Sequence, residues 1–144
     1  MRDRDAAGRA RNARARDALG RPLPRGRAGV EPLPDDIDGS PQAVVVLAGR
    51  LLDDGLPFQA HEVLESAWKA APSDRQGAAW QGMAQLAVAL THALRDNPVG
   101  ARRLRERAEV NLAAGDLPEV AVDLRDRLRD LCDAAGADTS PRRR

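Results

Sequence analysis

The sequence contains no tyrosine, one phenylalanine (Phe58), two tryptophans (Trp68, Trp80) and one lysine (Lys69) in 144 residues. With aromatics at 2% and hydrophobic residues at 42%, the core must be built from Ala, Val and Leu. Few segments show the β-branched and aromatic alternation that strands favour, so the composition points to helices. The single cysteine, Cys132, excludes an intrachain disulfide and fits a reducing compartment. Its place on an apolar helix face reads as packing. No apolar run reaches 18 residues, so no membrane-spanning helix is expected. The N-terminus is rich in Arg but lacks the apolar stretch of a secretory signal. These absences make a cytoplasmic protein the expectation.

What is present is unevenly spread. Residues 1–34 hold nine arginines against four acids, whereas residues 35–144 hold 14 basic and 18 acidic residues. A basic tail is thus joined to a mildly acidic body. Residues 1–39 read as an Arg-rich, mostly irregular extension in which R-D-A-x-G-R occurs twice, at Arg4–Arg9 and Arg16–Arg21. Residues 3–19 have the composition of a fraying helix, and Arg21–Gly26 should be extended because of its prolines. Nine arginines suit phosphate contacts. The interleaved acids and the lack of a stacking aromatic argue against nucleic acid, in favour of a tail that is solvated or lies on the surface.

Residues 40–136 read as a compact all-α bundle of about five helices, followed by a polar tail from 137 to 144. Ser40-Pro41 opens the first helix and Gly55 closes it. Asp35, Asp36 and Asp38 precede it without the glycine and glutamate spacing of a calcium loop. The second helix runs from Pro57 to before Pro72. The third runs from the cap residue Ser73 to Arg95 and is apolar on nearly every side between Ala78 and Ala93, so it is the central one. Asn97-Pro98 opens the fourth, which ends at Gly115. Its Arg102, Arg103, Arg105 and Arg107 read as a solvated face. The fifth opens at Asp116-Leu117-Pro118-Glu119 and ends at Gly136. Its seam of Leu117, Ala121, Leu124, Leu128, Leu131 and Ala135 suits packing along a neighbour. Short connections imply largely antiparallel neighbours.

Chemistry concentrates on the second helix. His61 and Glu65 lie four apart and share a face, with Trp68 three further on. On the third helix Gln81, Gln85 and His92 share a stripe. Buried polar groups need partners, so this stripe is expected to face His61 and Glu65 across a polar pocket roofed by Trp68 or Trp80. Three readings stay open. His61, Glu65 and His92 form a two-histidine, one-carboxylate set for a divalent metal. Alternatively, Glu65 orients His61 as a general acid or base beside a bound small molecule, with hydrolysis as the reaction class, although Ser66 and Thr91 lack a nucleophile's supporting motif. The third is a hydrogen-bond network that fixes helix register in a non-catalytic interaction module. In that reading Trp68 and Trp80 are core anchors. Composition leaves the formation of a homo-oligomer open.

Phe58-x-Ala60-His61-Glu62-Val63-Leu64-Glu65-x-x-Trp68, then Trp80-Gln81-Gly82-x-x-Gln85-Leu86-Ala87-Val88-Ala89, then His92 and Asn97-x-x-Gly100-Ala101 resemble the domain of unknown function 309 family. These are small all-helical bacterial and archaeal proteins marked by an H-x-x-x-E-x-x-W motif. The resemblance covers about Pro57 to Leu112. It implies a helical fold with His61, Glu65 and Trp68 as motif residues, places the Arg-rich extension outside the common domain, and implies no activity.

Overall fold

The computed structural model describes residues 16–21, 29–34 and 36–136 in full, and the backbone of 3–4, 10–11 and 137. Five helices carry the domain: α1 (Pro41–Asp53), α2 (Pro57–Ala70), α3 (Asp74–Leu94), α4 (Pro98–Ala114) and α5 (Val122–Ala137). The all-α reading holds for the domain. The expected Arg21–Gly26 extension and the tail from Asp138 lie largely outside the described residues. Asp3–Arg4 and Ala10–Arg11 pair as two-residue antiparallel strands, so the helix expected over 3–19 does not form there. Without an apolar face to dock, a short isolated helix is too weak to persist.

Local chemistry sets most helix ends. The Ser73 hydroxyl accepts from Gln76 N–H at 3.2 Å, and Asn97 Oδ1 accepts from Gly100 N–H at 3.1 Å. Both caps satisfy amides that the first turn leaves unpaired. Ser40 occupies the cap position of α1 without a side-chain bond, and its own N–H donates to Asp38 instead. Gly55 takes φ +73°, and the amides of Gly55 and Leu56 reach back to Leu52 and Leu51, which closes α1 in a Schellman turn. Two expected boundaries shift. Pro118 precedes a 3₁₀ turn (Glu119–Ala121), so α5 begins only at Val122, and α5 continues through Gly136.

The central helix is α3. It packs mainly on α4 and α2, and also on α5, while α1 packs on α2. Its buried surface is built of small residues around Trp80, Met83, Leu86 and Leu90. A Cβ at Gly82 would stand 2.8 Å from Leu112 Cγ and 2.9 Å from the Ala108 carbonyl oxygen. The missing side chain is therefore what lets α3 and α4 approach. The α5 seam holds as expected, with Ala121, Leu124 and Leu128 buried and Leu117, Leu131 and Ala135 packed against the core.

Charges join α4 to α5. Glu109 accepts from Arg129 at 2.6 and 3.0 Å and from Arg105 at 3.0 Å, and Arg105 also donates to Asp133 at 2.9 Å. Arg105 is therefore a cross-helix clamp and not part of a solvated face.

The N-terminal extension is partly docked. Leu33 and Ile37 pack against the core, and the Gln59 side chain donates to the Glu31 carbonyl at 2.6 Å. Further on, Gly39 lies against Ser66 and Ala70, so residues 31–34 and 36–39 follow α2 along its length.

Two outcomes are expected. Gly82→Val should cost about 2–3 kcal/mol in urea unfolding, since the clash with α4 outweighs the gain of about 0.5 kcal/mol or less in helix propensity. The arginines hold the Glu109 carboxyl below its ordinary value of 4.5, with the Arg129 hydrogen bonds leading and burial opposing. A depressed carboxylate stabilises above its unfolded value, and that stability is lost as pH falls through the folded value. Unfolding across the acid range should thus show a loss below about pH 4.5 that shrinks in Glu109→Gln.

Candidate functional site

His61 is held on α2 by its own helix. Its Nδ1 lies 3.0 Å from the Phe58 carbonyl oxygen, which can only accept, so Nδ1 carries a proton. Its Nε2 faces Glu65 Oε1 at 3.5 Å. The imidazole also meets the Phe58 ring, with centroids 5.1 Å apart and planes tilted by 53°. Nδ1 is thus satisfied one turn back in its own helix, and Nε2 stands beside a carboxylate one turn on. The His61 side chain is 16% exposed and that of Glu65 36%. Neighbouring Glu62 differs. Burial at its base pushes its carboxyl above the usual value although part of the side chain reaches solvent, His61 and Arg16 oppose the rise, and Glu65 adds to it.

The expected facing wall is not assembled. Gln85 Oε1 accepts from Asn111 Nδ2 at 2.7 Å, which turns it toward α4. The His92 ring lies 3.1 Å from Asn97 Nδ2 and packs close to Gly100, at the corner between α3 and α4. The stripe found its partners on α4 because the close contact at Gly82 places that helix beside it. Among the described residues no group of three or more His, Cys, Asp or Glu side chains is placed to hold a metal ion. The structure therefore does not bring His92 to His61 and Glu65, and the two-histidine, one-carboxylate set is not formed.

The tryptophans divide. Trp80 is a core anchor at 1% exposure, whereas Trp68 is 37% exposed. Trp68 Cδ1 would lie 3.5 Å from a Cβ at Gly77, and the ring borders a depression of about 280 Å³ together with Pro72, Ser73, Asp74 and Gln81. Gln81 and Trp68 do come together, as expected, but His61 and Glu65 do not line that depression. A larger cavity of about 640 Å³ lies elsewhere, between the apolar residues Leu52, Pro57, Leu90, Leu94, Leu131 and Ala135. The hydroxyls of Ser66 and Thr91 bond back to their own helices, to the carbonyls of Glu62 and Ala87, which leaves neither set up as a nucleophile. Cys132 is buried, its thiol pushed up to about 11 chiefly by burial, and it acts as packing.

Residues 45–104 match the family described as Domain of unknown function (DUF309). Over these residues the chain is similar to that family. The match runs from within α1 into α4, so it includes His61, Glu65 and Trp68, while α5 and the N-terminal extension lie outside it. Among curated proteins, a stretch of 47 residues is 49% identical to the "Uncharacterized protein YpuF" of Bacillus subtilis (strain 168). That stretch is 33% of this chain, and it spans only about a quarter (27%) of the length of that relative. No solved structure matches. Among the described residues no helix is long and apolar enough to cross a membrane.

Residues around the family motif that the sequence reading did not single out as site residues are Gln59, Glu62, Asn111 and, from the extension, Arg16, Gly20 and Glu31. The only trace of Gly20 in the sequence was its place in the R-D-A-x-G-R repeat. The two tryptophans give a direct test. Trp80→Ala should cost about 3–5 kcal/mol in chemical unfolding, and Trp68→Ala only about 1–2 kcal/mol, in line with their different burial.

Proposed function

We propose that the domain is a non-catalytic interaction module in which the His61–Glu65 pair fixes the edge of α2. The observation that carries this reading is that His61 is tethered within its own helix, Nδ1 to the Phe58 carbonyl and Nε2 beside Glu65. A general base needs a ring nitrogen turned toward a substrate, and the cavities beside Trp68 and Leu94 lack His61 on their walls. Exposed apolar surface supports the same reading, with Leu94 at 49% and Trp68 at 37% exposure. The buried free thiol of Cys132 fits a reducing, cytoplasmic setting.

The depression beside Trp68 favours a second reading, a small polar ligand stacked on the indole and held by Gln81. At about 280 Å³ it lies at the lower edge of the range of ligand pockets.

The deciding measurement is the stability of His61→Ala and Glu65→Gln. A structural pair predicts a loss of about 1–3 kcal/mol in either variant. Functional residues placed at a cost to the fold predict unchanged or increased stability, and that result would reject the module reading.

A further inference from the structure

These residues of the extension meet α2 at two places, and each contact has the character of a ligand on a receptor. Gly20 sits at φ +79° directly on the Phe58 ring, and a Cβ there would stand 2.5–2.7 Å from three ring carbons. No other residue type fits that seat. The Gln59 side chain, on a residue only 7% exposed, reads a backbone group, the Glu31 carbonyl, at 2.6 Å. One aromatic and one buried amide thus face a glycine and a backbone carbonyl.

The bound piece is also built to hold its own shape. Asp17 Oδ1 accepts from the amides of Leu19 and Arg21, and Asp17 Oδ2 accepts from Arg21 Nε at 2.7 Å. Arg16 Nη1 donates to the Gly20 carbonyl at 2.7 Å, and Val30 N–H donates to the Arg16 carbonyl. Segment 16–21 is therefore a small, internally bonded turn. It lies outside the family match at 45–104, whereas Phe58 and Gln59 lie inside it. The receptor groups belong to the domain, and the ligand groups belong to an extension of it.

We propose that the α2 edge formed by Phe58 and Gln59 is a docking site for a peptide segment that presents a glycine to the ring and a backbone carbonyl to the amide, and that residues 16–21 and 29–31 fill it in cis. This deepens the interaction reading by naming its surface and the chemistry of its occupant. A segment supplied in trans must compete with a tethered one, whose effective concentration is on the order of millimolar. The extension thereby sets a threshold for any outside partner.

The test uses the full chain and a labelled synthetic peptide of residues 16–34, with binding read by fluorescence anisotropy. Gly20→Val in the chain removes the cis occupant from the Phe58 ring. The peptide should then bind this variant at least about tenfold more tightly than it binds the unsubstituted chain, where the tethered segment competes. The same peptide carrying Gly20→Val should bind neither. Equal affinity for the two chains, no binding to the folded variant at peptide concentrations on the order of millimolar, or undiminished binding of the substituted peptide would each overturn the proposal. Should Gly20→Val fail to fold, Gly20→Ala places only a Cβ against the Phe58 ring, and the same comparison decides. Unfolding of His61→Ala addresses the module reading separately, since it does not depend on who occupies the α2 edge.

Discussion

The close approach of α3 and α4 at Gly82 is the constraint on which the rest of this structure depends. A chain with one Phe and two Trp has few large side chains to fill space between helices. It gains contact density instead by bringing backbones together, and Gly82 against Ala108 and Leu112 is where that happens. Gly115 repeats the device at the far end, where a Cβ would stand 2.5 Å from Ala79 N. The remaining helices then cover the other sides of α3: α2 with Leu64 and Val63, α5 with Leu128 and Cys132.

That approach also decides where the polar side chains of α3 go. With α4 drawn in, Gln85 finds Asn111 and His92 finds Asn97. Among the described residues no buried side-chain nitrogen or oxygen lacks a hydrogen-bond partner. His61 bonds within α2 to a carbonyl three residues back and lies beside a carboxylate four residues on. The polar groups that looked like one site are in fact two local solutions on different sides of α3, each using the nearest partner. This is the arrangement expected when leaving a buried polar group unpaired costs more than a hydrogen bond returns.

The N-terminal extension belongs to this economy as well. Gln59 is buried on α2 and its amide is met by the Glu31 carbonyl, while Leu33 and Ile37 add apolar cover. A tail that composition marks as basic and irregular is thereby partly drawn onto the helix that carries the family motif. The seat is set by shape, at Gly20 on Phe58.

The sequence alone determined the helix inventory, because helix ends are local chemistry. Ser73, Asn97, Gly55 and Gly115 mark their boundaries through groups within a few residues, and i, i+4 spacing alone places His61 beside Glu65. It erred at Pro118, where a proline that suits a first helical turn instead precedes a 3₁₀ turn. Tertiary structure alone decided which neighbour each face meets. Gln85 and His92 share a stripe in any α-helix, but the rotation of α3 that turns them to α4 comes from the fit at Gly82, between residues far apart in the chain. The docking of Gly20 on Phe58 is of the same kind. It depends on the absence of a side chain at one position and a ring at another, and neither residue signals the other until the chain is folded.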